Sequence, residues 1–221
     1  MEGPKIIGAL FSTYTRTMRM ALIRLNVPFQ LEQANPHSKL AYKYNPFGRV
    51  PSLLHNNNQI FETMAITNYI DATFSSDLTP QDLDTKIKMS QIISILSDYV
   101  FHHIIFNVCK RRDTYEQQGK NEEEIAVLLK NHLKKATDII RALDNLIPFD
   151  GTKFLCGDQL TWADYFFYPT LADMYAIPEG KFFAESSPKL QTWYEHFKTR
   201  KEVLDTYPGT VADIRSKKSS I

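Results

Sequence analysis

Up to Ser75 short apolar runs alternate with turn signals, and beyond Asp84 no strand pattern occurs. That break constrains the fold more than any single motif, because strands and helices bury their apolar faces in different ways. Before it, KIIGALF (Lys5 to Phe11) is short, apolar and followed by Ser and Thr, which predicts a buried strand. TRTMRMALIRLN carries Met18, Ala21, Leu22 and Leu25 at helical spacing, which predicts an amphipathic helix ending near Asn26. VPFQLEQ reads as a second strand, and SLLH and QIF flank Asn56–Asn58 as a hairpin. Glu62 to Phe74 is helical again.

The order β-α-β, then β-β, then α is what a small thioredoxin-like domain requires. A polar stretch around Pro80 reads as a linker, and everything after it reads as helix. Lys86 to about Arg112 is one long helix. Glu122 to Ile147 is another, with Ile125, Leu129, Leu133, Ala136, Ile140, Leu143 and Ile147 as its apolar stripe and with Pro148 and Gly151 as its stop. A helix from Trp162, another from Pro188 to Thr199, and a polar tail complete the chain. The expected class is α+β: a thioredoxin-like domain over 1–76, a linker over 77–84 and an all-α helical bundle over 85–221.

Composition removes several functions. Lys+Arg number 26 against 25 Asp+Glu, a net charge of +1, so no basic footprint points to nucleic acid or to a membrane surface. The most apolar stretch, Ile92 to Cys109, carries Asp98, His102, His103 and Asn107, which suits a buried helix better than a membrane span. Two cysteines, Cys109 and Cys156, cannot make a disulfide framework, and the opening MEGPKIIGALF lacks a cationic segment before a long apolar core. The expectation is a cytoplasmic protein with free thiols.

Glycine-rich phosphate cradles, H-E-x-x-H and G-x-S-x-G are absent from the sequence. His102 and His103 are adjacent and so diverge on a helix, and neither cysteine has a C-x-x-C partner, so no metal is expected. What is present is a constellation in four segments: Ser12-Thr13-Tyr14-Thr15-Arg16, NPFGRVPSLL (Asn45 to Leu54), FETMAITNYI (Phe61 to Ile70) and LTWADYFFYP (Leu160 to Pro169).

On these segments, over nearly its whole length, the chain resembles the cytosolic glutathione transferases of serine type, in the manner of the phi, theta and zeta-like members. The resemblance implies glutathione as co-substrate, a small electrophile as second substrate and a homodimer. It implies that the Val50-Pro51 bond is cis and that the Val50 backbone pairs, strand-like, with the cysteinyl backbone of glutathione. It places the γ-glutamyl group at Glu62 and Thr63, where a helix start binds carboxylate. The glycyl carboxylate needs a cation, and His37, Lys39 and Arg49 are the candidates. Thr161 and Asp164 form a capping box that serves folding.

The resemblance puts Ser12 where serine-type members keep the hydroxyl that activates the thiol, with Thr13 and Tyr14 as competitors. The loop holds no cysteine, which disfavours dithiol exchange. Tyr14, Tyr99, His103 and Phe106 are the candidates for the electrophile pocket, the last three at helical spacing. The activity implied is conjugation of the glutathione thiolate to small apolar electrophiles. The alternatives are a non-catalytic binding or scaffold member of the same fold, and a glutathione-dependent isomerase or peroxidase.

Overall fold

The computed structural model describes residues 3–147 and 153–218. Its only sheet among these residues has the strand order β2-β1-β3-β4. The strands are β1 (Lys5–Gly8), β2 (Gln30–Gln33), β3 (Ser52–His55) and β4 (Asn58–Phe61). β1 runs parallel to β2 and antiparallel to β3, and β3 runs antiparallel to β4. The parallel pair needs a crossover, which α1 (Thr13–Arg24) supplies. Ile6, Ile7 and Leu53 are wholly buried, as are Met18, Ala21 and Leu22 of α1, so apolar side chains from both elements enter the core. The β3–β4 hairpin turns through Asn56 and Asn57, both with positive φ, a conformation that Asn tolerates.

Three local features differ from the sequence reading. A short helix, α2 (Lys39–Tyr44), lies between β2 and β3; Ser38 caps it, and Ala41 is its only buried residue, so it leaves no periodic signal. α3 (Thr63–Thr73) then closes the thioredoxin-like unit. α4 (Leu83–Ile95) begins inside the stretch read as linker, where the Asp82 carboxylate accepts the Thr85 N–H at 2.8 Å. The polar tail is divided into α10 (Lys201–Asp205) and α11 (Val211–Lys218). Pro148 and Gly151, expected to stop a helix, lie outside the described residues.

The long helix expected near Lys86 runs continuously from Leu83 to Gln117. Its middle, Leu96–Cys109, is π-helical, and α5 (Lys110–Gln117) completes it. By length and composition this helix could cross a membrane. Here Leu96, Val100, Ile104 and Val108 are wholly buried, and the helix packs against α6 (Glu122–Leu146) and α7 (Trp162–Tyr175) as a core helix of the bundle. α8 (Gly180–Ser186) and α9 (Pro188–Phe197) pack outside α6 and α7. Cys109 and Cys156 are both buried free thiols.

α7 sits at the centre of the bundle, with every residue from Trp162 to Met174 buried. Its start is fixed by Asp164, whose carboxylate accepts the N–H groups of Thr161 (2.9 Å) and Leu155 (2.9 Å) and the Trp193 indole N–H (3.2 Å). The expected capping box is therefore formed, and the same carboxylate also ties a loop and α9 to α7. Burial pushes the Asp164 carboxyl up to about 6 even though these donors pull it down.

Candidate active site

The sheet register brings the singled-out segments to one end. Ile7 lies opposite Ser52, so Gly8 and the loop after it continue past Pro51 and Val50. Ser52 lies opposite Phe61, so Glu62 emerges at that same end. Gly8 is opposite Gln33, which delivers the segment holding His37 and Lys39 there as well.

β1 ends in glycine for a steric reason. A Cβ on Gly8 would lie 2.5 Å from the Thr15 hydroxyl, so α1 approaches the strand end as closely as it does only because that atom is missing. Ser12 is the N-cap of α1: its N–H donates to the Ala9 carbonyl (3.1 Å) and its Oγ accepts the Thr15 N–H (3.3 Å). The hydroxyl oxygen is used as acceptor, so its proton remains to be donated outward, over the positive end of the helix. Thr13 is buried.

The Val50-Pro51 peptide is cis. Val50 is half-buried and stands just ahead of β3, and its N–H and C=O have no backbone partner among the described residues. The preceding turn is built by Asn45, whose side chain accepts the Phe47 N–H (2.8 Å) and whose carbonyl accepts the Gly48 N–H (2.8 Å). The Gly48 carbonyl accepts the His37 N–H at 2.7 Å, which draws His37 beside Arg49; the His37 ring meets the Tyr42 hydroxyl at 3.2 Å. Lys39 is exposed on the first turn of α2.

Glu62, not Thr63, occupies the N-cap of α3, and Thr63 is its first helical residue. Glu62 adopts φ 66 and ψ 120, a left-handed conformation that costs a non-glycine residue energy. The N-cap side chain makes no capping bond, and among the described residues the N–H groups of the first turn of this helix have no hydrogen-bond partner. An uncapped helix start beside an exposed carboxylate suits a ligand carrying both a carboxylate and an ammonium group.

Tyr14 leaves α1 toward the helical bundle. Its ring stacks on Phe101 (centroids 4.6 Å apart) and meets Phe166 edge-on at 5.9 Å, and its hydroxyl shares a 3.3 Å hydrogen bond with Ser97. Burial pushes its phenol above the usual value; Ser97 and Arg49 pull it down, while Asp98 and Glu62 push it up. Tyr14 thus senses Arg49 and Glu62 from one side and Asp98 from the other, as a group between the two units does.

The other pocket candidates are placed differently. Tyr99 and Phe106 are more than half exposed. Partial burial, His102 and Lys135 hold His103 below the usual histidine value, and its ring meets that of His102 edge-on at 4.8 Å. Phe106 reaches Tyr14 only through Phe101, 6.4 Å away. Ser97 and Phe101 are four apart and share one face of the helix, whereas Tyr99 lies two residues from each and so on another. Ser97 and Phe101 meet Tyr14, and a stripe begun at Tyr99 follows a different face. Two surface cavities, about 440 Å³ beside α6 and Phe182 and about 700 Å³ along α4, lie away from Ser12.

Residues 6–78 match the family model of the glutathione S-transferase N-terminal domain, and residues 121–196 match that of the C-terminal domain. Glutathione S-transferase F13 of Arabidopsis thaliana is 28% identical over 218 residues, covering 94% of this chain and 97% of that protein. Glutathione transferase F7 from Populus trichocarpa superposes with a TM-score of 0.77 at 20% identity, covering 93% of this chain and 98% of that one. An epsilon-class glutathione S-transferase from the housefly Musca domestica does so with a TM-score of 0.78 at 19% identity, covering 98% and 97%. With both of its domains matched in order and a curated relative aligned almost end to end, the chain belongs to the cytosolic glutathione transferase family.

Proposed function

We propose that this protein binds glutathione at the sheet end shared by Val50, Glu62 and Ser12 and conjugates its thiolate to small apolar electrophiles. The observation that carries the reading is the Val50 backbone beside the cis bond, without a backbone partner among the described residues and at the same sheet end as the uncapped start of α3. The cysteinyl backbone pairs with Val50 at Pro51, the γ-glutamyl carboxylate takes the N–H groups from Thr63 onward, and its ammonium meets Glu62. His37, Lys39 and Arg49 supply positive charge for the glycyl carboxylate. The sulfur then lies by Ser12, whose hydroxyl donates to it.

Magnitudes define what Ser12 contributes. Lowering a thiol by about two pKa units takes roughly 2.7 kcal/mol, within reach of one charge-assisted hydrogen bond and a helix N-terminus. The thiolate fraction at neutral pH then rises roughly 25-fold, while the lower basicity removes about 8-fold of nucleophilicity, a net gain of about threefold. Larger acceleration comes from holding the electrophile beside the sulfur. The Tyr14–Phe101 wall is the surface placed to do so. We further propose that the protein acts in the cytoplasm as a homodimer, without metal, membrane or nucleic-acid partners.

Calorimetric titration with glutathione, followed by conjugation assays on an aromatic halide, tests the proposal. Binding together with turnover of the halide is the expected result. Well-folded protein giving no heat at millimolar glutathione would overturn it, and binding without turnover of any electrophile would leave only a binding role.

A further inference from the structure

Arg16 stands one turn after Ser12 on α1, and its N–H donates to the Ser12 carbonyl at 2.9 Å. Its side chain is only 2% exposed, among the largest fully enclosed groups in the chain. Nη2 donates to the Val203 carbonyl (3.1 Å) and Nε to the Thr206 hydroxyl (3.3 Å), both in the α10 region. The guanidinium lies 5.1 Å over the Tyr168 ring. Among the described residues no carboxylate pairs with it, whereas Arg112 holds Glu116, Glu122 and Glu179, and Arg200 holds Glu202. A buried cation without a counter-ion is costly, and a packed apolar side chain would fill the space without that cost.

The same C-terminal segment supports the Ser12 loop a second time. Gly209 has φ +81, and a Cβ there would stand 2.8 Å from the Leu10 side chain, so backbone and loop are in close contact. Loop and helix start are thus both seated on residues 203–209.

We infer that Arg16 is a positioning residue for the thiol chemistry: anchored to α10, it fixes the Ser12 end of α1 and places behind it a positive charge with no ion-paired carboxylate, which favours the thiolate. The inference rests on the reading that the glutathione sulfur docks beside Ser12. The charge acts with the helix N-terminal field, and in a buried setting it is only weakly screened. The groups facing Arg16 are Tyr168 and Asp173 of α7, Tyr194 of α9 and Arg19 on its own helix. Glu202 of α10 is held by Arg200 and the Tyr165 hydroxyl. Burial pushes the Asp173 carboxyl up to about 7, so in acid it is neutral and the Arg16 charge stands alone. Above neutrality an ionised Asp173 offsets part of it.

The test measures the pKa of the bound glutathione thiol by its ultraviolet thiolate absorbance, together with the pH profile of conjugation. Arg16→Gln keeps a donor for Val203 or Thr206 and removes the charge. The expected result is a thiol pKa raised by about one unit, so that conjugation falls roughly three- to fourfold in mild acid, the tenfold loss of thiolate being partly offset by its greater nucleophilicity, and equals or exceeds wild type at alkaline pH. Arg16→Lys keeps the charge and should hold the wild-type thiol pKa; this variant carries the test if Arg16→Gln does not fold. A folded Arg16→Gln with wild-type thiol pKa, a loss of rate equal at all pH, or a raised pKa in Arg16→Lys would each overturn the inference and leave the proposed function standing. Wild-type protein that binds no glutathione would overturn both.

Discussion

The Tyr14 ring lies flat on Phe101, with 4.6 Å between centroids and 8° between planes, and this pair joins the end of the thioredoxin-like unit to the longest helix of the bundle. A ring pair of this geometry contributes about 0.5–1.5 kcal/mol beyond its burial. Phe101→Ala should raise KM for an aromatic electrophile about three- to tenfold while leaving KM for glutathione within twofold, because the glutathione contacts lie on other elements. Steady-state kinetics with each substrate varied in turn check the split. Equal changes in both would show that the pair is a domain contact with no part in the pocket.

Ser12→Ala should raise the bound thiol pKa by about two units and lower kcat about threefold at neutral pH, rising to about tenfold in mild acid, with glutathione affinity by calorimetry within about threefold, since Val50, Glu62 and Thr63 carry binding. Tyr14→Phe is the control. Its phenol is already engaged by Ser97 and held protonated by burial, so its loss should leave the thiol pKa unchanged. Full rate in Ser12→Ala with loss in Tyr14→Phe would exchange the two roles.

Glu62 holds a strained backbone at the uncapped helix start. Glu62→Gly relieves the left-handed conformation, so Tm should stay level or rise slightly, although strain of about 1 kcal/mol is partly offset by glycine's greater freedom when unfolded. Glutathione affinity should nevertheless fall about tenfold, because the charge that meets the ammonium is gone. Thermal melts and calorimetry on one preparation separate these effects. A parallel loss of both would mean that Glu62 serves folding.

Much of the site is legible in the sequence because backbone geometry and turn chemistry carry it. Val50-Pro51, the Glu62-Thr63 helix start and the Ser12 cap each leave a local signature, and the strand register alone then brings them together. Three things are not legible, for different reasons. α2 buries one side chain and so has no period to detect. Phe101 and Ser97 are missed because the stripe of Tyr99, His103 and Phe106 lies on another face of the helix, and only the docking of α1 shows which face meets Tyr14. Arg16 reads as the polar side of an amphipathic helix, and only the return of residues 203–206 against it makes it buried.

Asp164 and Asp173 lie on one helix, both buried, and should respond to substitution in opposite ways. Asp164 is the acceptor for Thr161, Leu155 and the Trp193 indole. Asp164→Ala strands those buried donors together, so the loss should be about 3–5 kcal/mol, more than a surface cap is worth. Urea denaturation measures it. A loss under about 1 kcal/mol would mean that the donors find other partners.

Asp173 finds no hydrogen-bond donor among the described residues, and burial pushes its carboxyl up to about 7. A carboxyl raised in the folded state is protonated there while the unfolded chain, titrating near 3.9, has already ionised. Between roughly pH 4 and 7 the folded state therefore binds more protons, and stability is lost as pH rises through that window. Asp173→Asn removes the ionisation and keeps the shape. It should match wild type near about pH 4, gain on it steadily up to neutrality, and lead by about 1–3 kcal/mol at pH 8. Paired denaturation curves across that range check it. A difference that stays flat with pH would show that the Asp173 carboxyl titrates normally, with a donor or water reaching it. The sign also bears on Arg16: if Asp173→Asn lowers the bound thiol pKa above neutrality as well as stabilising the fold, an ionised Asp173 is the counter-charge that Arg16 otherwise lacks.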